Sequence, residues 1–180
     1  FRSHPVWRSP EVALTCTKRL VRIARETGAR VHILHISTAE EMDFLKDHKD
    51  VATVEITPQH LTLAAEEAYP RLGTLAQMNP PIRSGAHRDG LWHWLNQGVP
   101  DVIGSDHAPH TLEEKSKPYP ASPSGMPGVQ TLLPLMLDVV PQSAMVTAAP
   151  ASASAKHVAR PRPEAPPVTS ATLSRRTDRS

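Results

Sequence analysis

The chain has 180 residues, of which 39% are hydrophobic, 21% are charged and only 4% are aromatic. This length suits one domain of ordinary size or part of a larger domain. The single cysteine, Cys16, excludes an internal disulfide framework and favours a reducing compartment, so we expect a cytoplasmic protein. No apolar run approaches the ~20 residues of a membrane-spanning helix, and we expect no membrane association.

The formal net charge of +2 averages two unlike regions. Residues 141–180 carry six basic and two acidic side chains, are rich in Ala, Pro and Ser, and contain no aromatic residue. Such a segment buries too little apolar surface to offset the entropy of ordering it, so we predict a disordered tail over 141–180 and a folded part over 1–140. The basic side chains are scattered and have no aromatic neighbours, which argues against nucleic-acid binding.

Helical and strand-like patterns alternate along the folded part. Residues 10–27 have helical spacing, with Ser9 or Pro10 at the start, Gly28 after the end and an apolar face formed by Val12, Cys16, Leu20 and Ile23. The other predicted elements are strands at 31–36, 51–56 and 99–104, and helices at 39–48, 61–68, 86–97 and from 128 onward. This alternation predicts an α/β fold with a parallel sheet. Polar residues follow each strand, as at the active-site end of a (β/α)₈ barrel, of which three strands form only an arc.

The segment DVIGSDHAPH (101–110) carries the most specific chemical pattern. An apolar strand brings Asp106 to its carboxyl end, where a carboxylate can bind Zn²⁺ and exchange a proton with an attacking water. His107 and His110 follow closely, so an aspartate that merely caps the next turn describes the segment poorly.

Other polar residues near strand ends have weaker signals. His35 lies nearer the end of its strand than His32 and is the candidate ligand, although a histidine bonded to backbone is the common alternative. Asn79 precedes two prolines, which favour an extended backbone that can present its amide, although this is also ordinary turn chemistry. We expect a structural hydrogen bond for Glu55 and a solvated loop at 115–117.

These motifs, taken in order, resemble dihydroorotase, of the cyclic amidohydrolase group in the amidohydrolase superfamily. The matching strings are HILHISTAEEM (32–42), EITPQHL (55–61), QMNPPIRS (77–84), DVIGSDHAPHTLEEK (101–115) and SGMPGVQTLLPLML (124–137). SDHAPH is the more specific of them, because the first two strings occur in looser form in hydantoinases, dihydropyrimidinases and allantoinases.

The resemblance implies a metal-bearing (β/α)₈ barrel, with the three strands here as strands six to eight. It implies one or two Zn²⁺ ions, with His35 and Asp106 as metal ligands and Asp106 also as the catalytic proton shuttle. The substrate-binding residues that it implies are Asn79, His110, Ser124 and Gly125. His60 does not match a metal-ligand position.

The implied reaction is the reversible cyclisation of N-carbamoyl-L-aspartate to L-dihydroorotate in pyrimidine synthesis. The family's other metal ligands, including its His-x-His motif, have no counterpart here. A catalytic zinc needs about three protein ligands, so we expect this chain to be a fragment that is inactive alone. The alternatives are a hydantoinase, dihydropyrimidinase or allantoinase, and a non-catalytic subunit that partners aspartate transcarbamoylase. A second copy of the same chain, in a homo-oligomer, is the other possible protein partner.

Overall fold

The structure, a computed structural model, describes residues 3–144, with side-chain exposure described for residues 3–138. The predicted tail therefore lies outside the described residues from position 145 onward. Two 3₁₀ turns, Lys46–His48 and Gly73–Ala76, accompany the helices and strands. In chain order these are α1 (His4–Trp7), α2 (Pro10–Thr27), β1 (Val31–Ile33), α3 (Ala39–Leu45), β2 (Ala52–Ile56), α4 (Pro58–Thr62), α5 (Ala65–Leu72), α6 (Gly85–Asn96), β3 (Val102–Ile103), α7 (Leu112–Lys115) and α8 (Val129–Ala144).

Helix α2 has the predicted ends but buries a different face. The Ser9 hydroxyl accepts a hydrogen bond from the Val12 amide, and Gly28 ends the helix with a φ of 69°. The buried positions are Thr17, Val21 and Ala24. The predicted apolar residues, Val12, Cys16, Leu20 and Ile23, do share one face of this helix, but that face is exposed within residues 3–138.

A buried polar pair lies on the face that α2 does bury. The Thr17 hydroxyl donates to the Glu41 carboxylate on α3 at 2.8 Å, and Glu41 also accepts from the Thr38 hydroxyl. Since each hydroxyl has an acceptor, a face that contains threonine can be buried at little cost.

The three strands form a parallel sheet in the order β1-β2-β3. Val31 pairs with Ala52 and Glu55 pairs with Val102. The α/β fold with a parallel sheet is therefore confirmed. Strands β1 and β3 are shorter than predicted, and the chain turns sharply after each, at His35 and Asp106, where φ is positive.

The two faces of the sheet have different surroundings. One face carries Val54 and Ile56 into a core with Met42, Leu45 and Leu91, all at most 1% exposed. The opposite face, here called the open face, bears His32, Leu34, Thr53, Glu55 and Val102. Its two apolar residues, Leu34 and Val102, are 51% and 43% exposed, so residues 3–138 leave this face largely uncovered.

The segment after β2 forms two short helices where one was predicted at 61–68. Thr57 caps the first, with its hydroxyl accepting from the His60 amide and Pro58 at the first position. The backbone is extended at Leu63 and Ala64, and α5 begins after that break. Across residues 3–144, no helix combines the length and apolar character needed to span a membrane.

Candidate active site

His35 and Asp106 lie on strained turns at the carboxyl ends of the two outer strands of the sheet, β1 and β3. Their φ angles are 39° and 43°, a region that residues other than glycine rarely adopt, although Asp and His do so more often than most. A carboxylate oxygen of Glu55 accepts the His35 amide at 3.2 Å, which confirms the expected structural hydrogen bond for Glu55. Backbone strain of this kind clusters at functional sites.

The His35 ring has a nitrogen available for a ligand. Its Nδ1 atom is buried and has no hydrogen-bond partner among the described residues. Buried polar atoms in native proteins are nearly always satisfied, so the unpaired imidazole nitrogen fits a bound ligand or an ordered water, as do the side-chain oxygens of Gln59 and Gln77, which are unpaired in the same way. The ring lines a cavity of about 330 Å³ together with Asn79, Pro80 and Arg83.

Contacts on both sides hold the turn that contains Asp106. The Gln59 side-chain amide donates to the Ser105 carbonyl at 2.9 Å, and a Cβ on Gly128 would lie only 2.3 Å from the same oxygen. On the other side, His107 Nδ1 accepts the Gly128 amide at 3.0 Å. His107 therefore holds the start of α8, and the Asp106 carboxylate makes no hydrogen bond or ion pair within residues 3–144.

The two candidate ligands match part of a zinc site and not a complete one. The unpaired His35 nitrogen and the Asp106 carboxylate are donors that zinc prefers. Among the described residues, however, no three His, Cys, Asp or Glu side chains come together in a way that could hold a metal ion. A complete zinc site would therefore need further metal ligands from outside the described residues.

His60 has an entirely different environment from His35. It is 2% exposed, its Nδ1 pairs with the Thr57 hydroxyl at 2.8 Å and its Nε2 donates to the Pro80 carbonyl at 3.2 Å. Burial lowers its pKa to about 4, with nearby Arg83 and His35 acting in the same direction. Because both nitrogens are used inside the protein, His60 supports the backbone next to Asn79.

The four candidate substrate-binding residues fall into two groups. Asn79 lines the same cavity as His35, whereas His110 and Gly125 line a second cavity of about 270 Å³. The Ser124 hydroxyl accepts a hydrogen bond from the Gln77 side chain at 3.1 Å. Neither cavity includes Asp106.

Arg83 is a functional candidate that sequence analysis missed. It is 6% exposed, and it donates to the Ser37 hydroxyl at 3.2 Å and to the Arg8 carbonyl at 2.5 Å while lining the cavity beside His35. Burial lowers its pKa and the negative charge of Glu41 opposes that shift. A cation at this point favours an anionic group in the cavity. The only feature of the sequence that could have indicated a functional role for Arg83 was its place in the string QMNPPIRS.

Lys115 was also missed, and its predicted solvated environment is wrong. The residue is 4% exposed, and its ammonium group donates to three backbone carbonyls, those of Gln77, Pro123 and Gly125. A lysine between polar residues gives no sequence signal of burial, because its acceptors come from other segments.

Known proteins resemble this chain over most of its described length. It is 44% identical over 131 residues to a dihydroorotase from Halobacterium salinarum, covering 73% of this chain and 30% of that protein. A dihydroorotase from Geobacillus thermodenitrificans is 44% identical over 121 residues, which cover 66% of this chain and 28% of that protein. No family model matches the chain.

A solved structure supports the same grouping. An L-hydantoinase (dihydropyrimidinase) from Arthrobacter aurescens aligns with a TM-score of 0.67 and 29% identity, over 72% of this chain and 30% of that chain. The present chain thus spans about three-tenths of the length of the relatives it matches. The resemblance inferred from the motifs is confirmed: in its matched residues this chain is homologous to the dihydroorotases, within an α/β fold shared with hydantoinases.

Proposed function

We propose that this chain supplies the strand-six-to-eight part of a dihydroorotase, which interconverts L-dihydroorotate and N-carbamoyl-L-aspartate in pyrimidine synthesis. The observation that carries the proposal is the 44% identity to dihydroorotases over 131 residues, a stretch long enough to hold most of the described fold. Asp106 on its strained turn and the unpaired nitrogen of His35 support it.

The proposed architecture is an arc of a (β/α)₈ barrel, formed by residues 1–140, with 141–180 as a separate tail. Three parallel strands cannot close a barrel, which needs about 250 residues. The exposed apolar side chains of the open face, Leu34 and Val102, support this, because the interior of a barrel is filled by side chains from all its strands. The other strands would come from polypeptide outside these 180 residues.

His35 and Asp106 are the proposed metal ligands in this part of the barrel. When bound, one or two Zn²⁺ ions would polarise the ring carbonyl of the substrate and acidify a water molecule. The remaining donors would come from the other strands, since residues 3–144 do not complete the site.

The chain's own groups have separate proposed roles in hydrolysis. Asp106 would accept the proton of the attacking water and deliver it to the leaving ring nitrogen, which general acid–base catalysis requires of one positioned carboxylate. Its lack of any other hydrogen-bond partner within residues 3–144 leaves both oxygens available. The proposed substrate contacts are Asn79, His110, Ser124 and Gly125.

A hydantoinase is the second candidate, because an L-hydantoinase shares 29% identity and the fold. The proposed partner is a small-molecule substrate in the cytoplasm. Homo-oligomerisation and association with aspartate transcarbamoylase are both compatible with a barrel-forming chain.

The decisive experiment uses a chimera of the Geobacillus thermodenitrificans dihydroorotase in which the matched segment is replaced by that of this chain. We expect the chimera to retain zinc and to hydrolyse L-dihydroorotate. Asp106→Asn should lower kcat by about 10²–10⁴-fold, the typical share of general acid–base catalysis. The matched control is Asp138→Asn, which makes the same change at an exposed position on α8.

Three results would contradict the proposal. A chimera that folds but neither retains zinc nor turns over dihydroorotate would exclude a dihydroorotase role. Hydrolysis of hydantoin without hydrolysis of dihydroorotate would favour the second candidate. An Asp106→Asn chimera as active as the Asp138→Asn control would remove Asp106 from catalysis.

A further inference from the structure

A buried lysine lies at the centre of the loops that carry the candidate substrate-binding residues. Lys115 is the last residue of α7 and is 4% exposed. Its Nζ atom donates to the carbonyl oxygens of Gln77, Pro123 and Gly125 at 2.9, 3.0 and 3.0 Å. An ammonium group has three protons, so these acceptors use all of them.

The charge of Lys115 has no neutralising carboxylate in the described structure. Burial lowers the pKa of Lys115, while the three carbonyl dipoles stabilise its protonated form. A buried charge is costly unless fully hydrogen-bonded, so these acceptors are needed for the lysine to remain buried and charged. Three backbone carbonyls thus bind one buried cation, at a position where an apolar side chain would fill the same space without needing hydrogen-bond partners.

The three acceptors belong to two segments that are far apart in the sequence. Gln77 lies two residues before Asn79, whereas Pro123 and Gly125 flank Ser124. The segments also contact each other directly: the Gly125 amide donates to the Gln77 carbonyl at 2.9 Å, and the Gln77 side chain donates to the Ser124 hydroxyl. Lys115 therefore joins the backbone leading to Asn79 with the backbone on both sides of Ser124.

The Gly125 backbone, one of the three acceptors, also packs against the segment that carries His110. A Cβ on Gly125 would lie 2.5 Å from the Ala108 carbonyl and 3.0 Å from the His110 ring, so the 125 backbone packs directly against the segment before α7. Lys115 is the last residue of α7, and its backbone carbonyl accepts a hydrogen bond from the Thr74 hydroxyl at 2.5 Å. Movement of the Lys115 side chain would remove the three hydrogen bonds that tie the Gln77 backbone to the Pro123 and Gly125 backbone, and would leave only the direct contacts between these loops.

We propose that Lys115 is a positioning residue that holds the Asn79, His110 and Ser124–Gly125 loops in the arrangement in which they bind substrate. Lys115 lines the cavity of His110 and Gly125, but its ammonium group has no proton left to donate to a substrate, because all three are used by backbone carbonyls. The link to substrate binding rests on the proposed function, whereas the link between the loops rests on the structure of this chain alone.

The loop link is tested in the 180-residue chain by hydrogen exchange. Lys115→Met keeps the length of the side chain and removes the charge and the donors, and Lys117→Met is the control at an exposed position in the same loop. We expect exchange in peptides covering 73–80 and 116–126 to become at least tenfold faster in Lys115→Met, with α2 and α3 unchanged. Unchanged exchange in both peptides, or equal acceleration throughout the chain, would overturn the proposal.

Chemical rescue keeps the test decisive if Lys115→Met does not fold. In a Cys16→Ser background, Lys115→Cys is alkylated under denaturing conditions with 2-bromoethylamine, which restores an ammonium group, or with 1-bromopropane, which adds a neutral group of the same size. Both proteins are then refolded. Recovery of folding and slow exchange only with the ammonium group would support the proposal, and equal recovery with the propyl group would overturn it.

The substrate link is tested in the chimera described above. We expect Lys115→Met to raise the KM for L-dihydroorotate at least tenfold while kcat changes less than threefold, because the loops bind substrate and do not carry the proton. An unchanged KM beside loosened loops would overturn the positioning role. If the wild-type chimera has no turnover, the proposed function fails, and the exchange comparison alone then decides whether Lys115 holds the loops.

Discussion

Two histidines at the carboxyl end of the sheet have opposite environments. His60, in the turn after β2, is 2% exposed and uses both ring nitrogens within the protein. His35, after β1, has a buried Nδ1 with no partner among the described residues and a backbone φ of 39°. The first arrangement is fully satisfied and stabilises the fold, whereas the second keeps strain and an unpaired donor or acceptor.

The same contrast extends to Asp106. Its turn also has a positive φ, and its carboxylate makes no hydrogen bond or ion pair within residues 3–144. Of these three groups, His60 in the middle turn is satisfied and His35 and Asp106 in the outer two turns are not, although Gln59 Oε1 in the middle turn is also buried without a partner among the described residues.

Acidification should destabilise the chain through His60. Its pKa is about 4 in the folded protein and 6.5 in the unfolded chain, so the unfolded state binds more protons between these values. The free energy of unfolding is unaffected by His60 above pH 6.5 and falls by up to about 1.4 kcal/mol per pH unit below it. The total loss near pH 4 is about 3 kcal/mol, measurable by urea denaturation from pH 7.5 to 4.

The His60→Gln variant isolates this contribution. We expect its unfolding free energy to be lower at pH 7, by about 1–3 kcal/mol for the disturbed hydrogen bonds, and to depend less steeply on pH. A residual slope should persist, because burial also lowers the pKa of His4. His93→Gln, at an exposed position on α6, should keep the wild-type slope. Identical slopes for wild type and His60→Gln would show that His60 is not buried in its neutral form.

Crowding at the Asp106 turn should make Gly128→Ala destabilising by about 1–3 kcal/mol, the usual cost of overpacking. The added Cβ would lie 2.3 Å from the Ser105 carbonyl and 2.7 Å from the Gln59 side-chain nitrogen, and one of them would have to move. Gly85→Ala is the control, because its Cβ would meet no atom closer than 3.8 Å. Thermal unfolding of the two variants gives the comparison. Equal melting temperatures would mean that the turn is loosely held.

Local sequence signals were sufficient to predict where the helices and strands lie, but they did not indicate which of their faces would be buried. The ends of α2 follow from Ser9 and Gly28, which act on their own neighbours in the chain. The face that α2 buries includes Thr17, whose acceptor Glu41 lies 24 residues away, and the periodicity of apolar residues did not indicate this face.

The candidate site shows the same limit. The motifs singled out His35 and Asp106, since both follow apolar strands and belong to recognisable strings. No pattern indicated that Lys115 would be buried, because its acceptors are carbonyls that any residue can supply. The positive φ angles at His35 and Asp106 were not predicted, because residue type alone does not fix the backbone conformation at these positions.

Relief of strain at Asp106 should raise stability while it removes function. Asp106→Gly places the residue best suited to a φ of 43° at that position, where another residue costs about 1–2 kcal/mol. Glycine also loses more conformational entropy on folding, so we expect a net gain of about 1 kcal/mol in the free energy of unfolding, measured by urea denaturation. Ser105→Gly, next to it in ordinary backbone geometry, should lose stability by a similar amount. A loss of stability in Asp106→Gly would mean that the aspartate has a structural role like that of His60, and the division between the outer and middle turns would then fail.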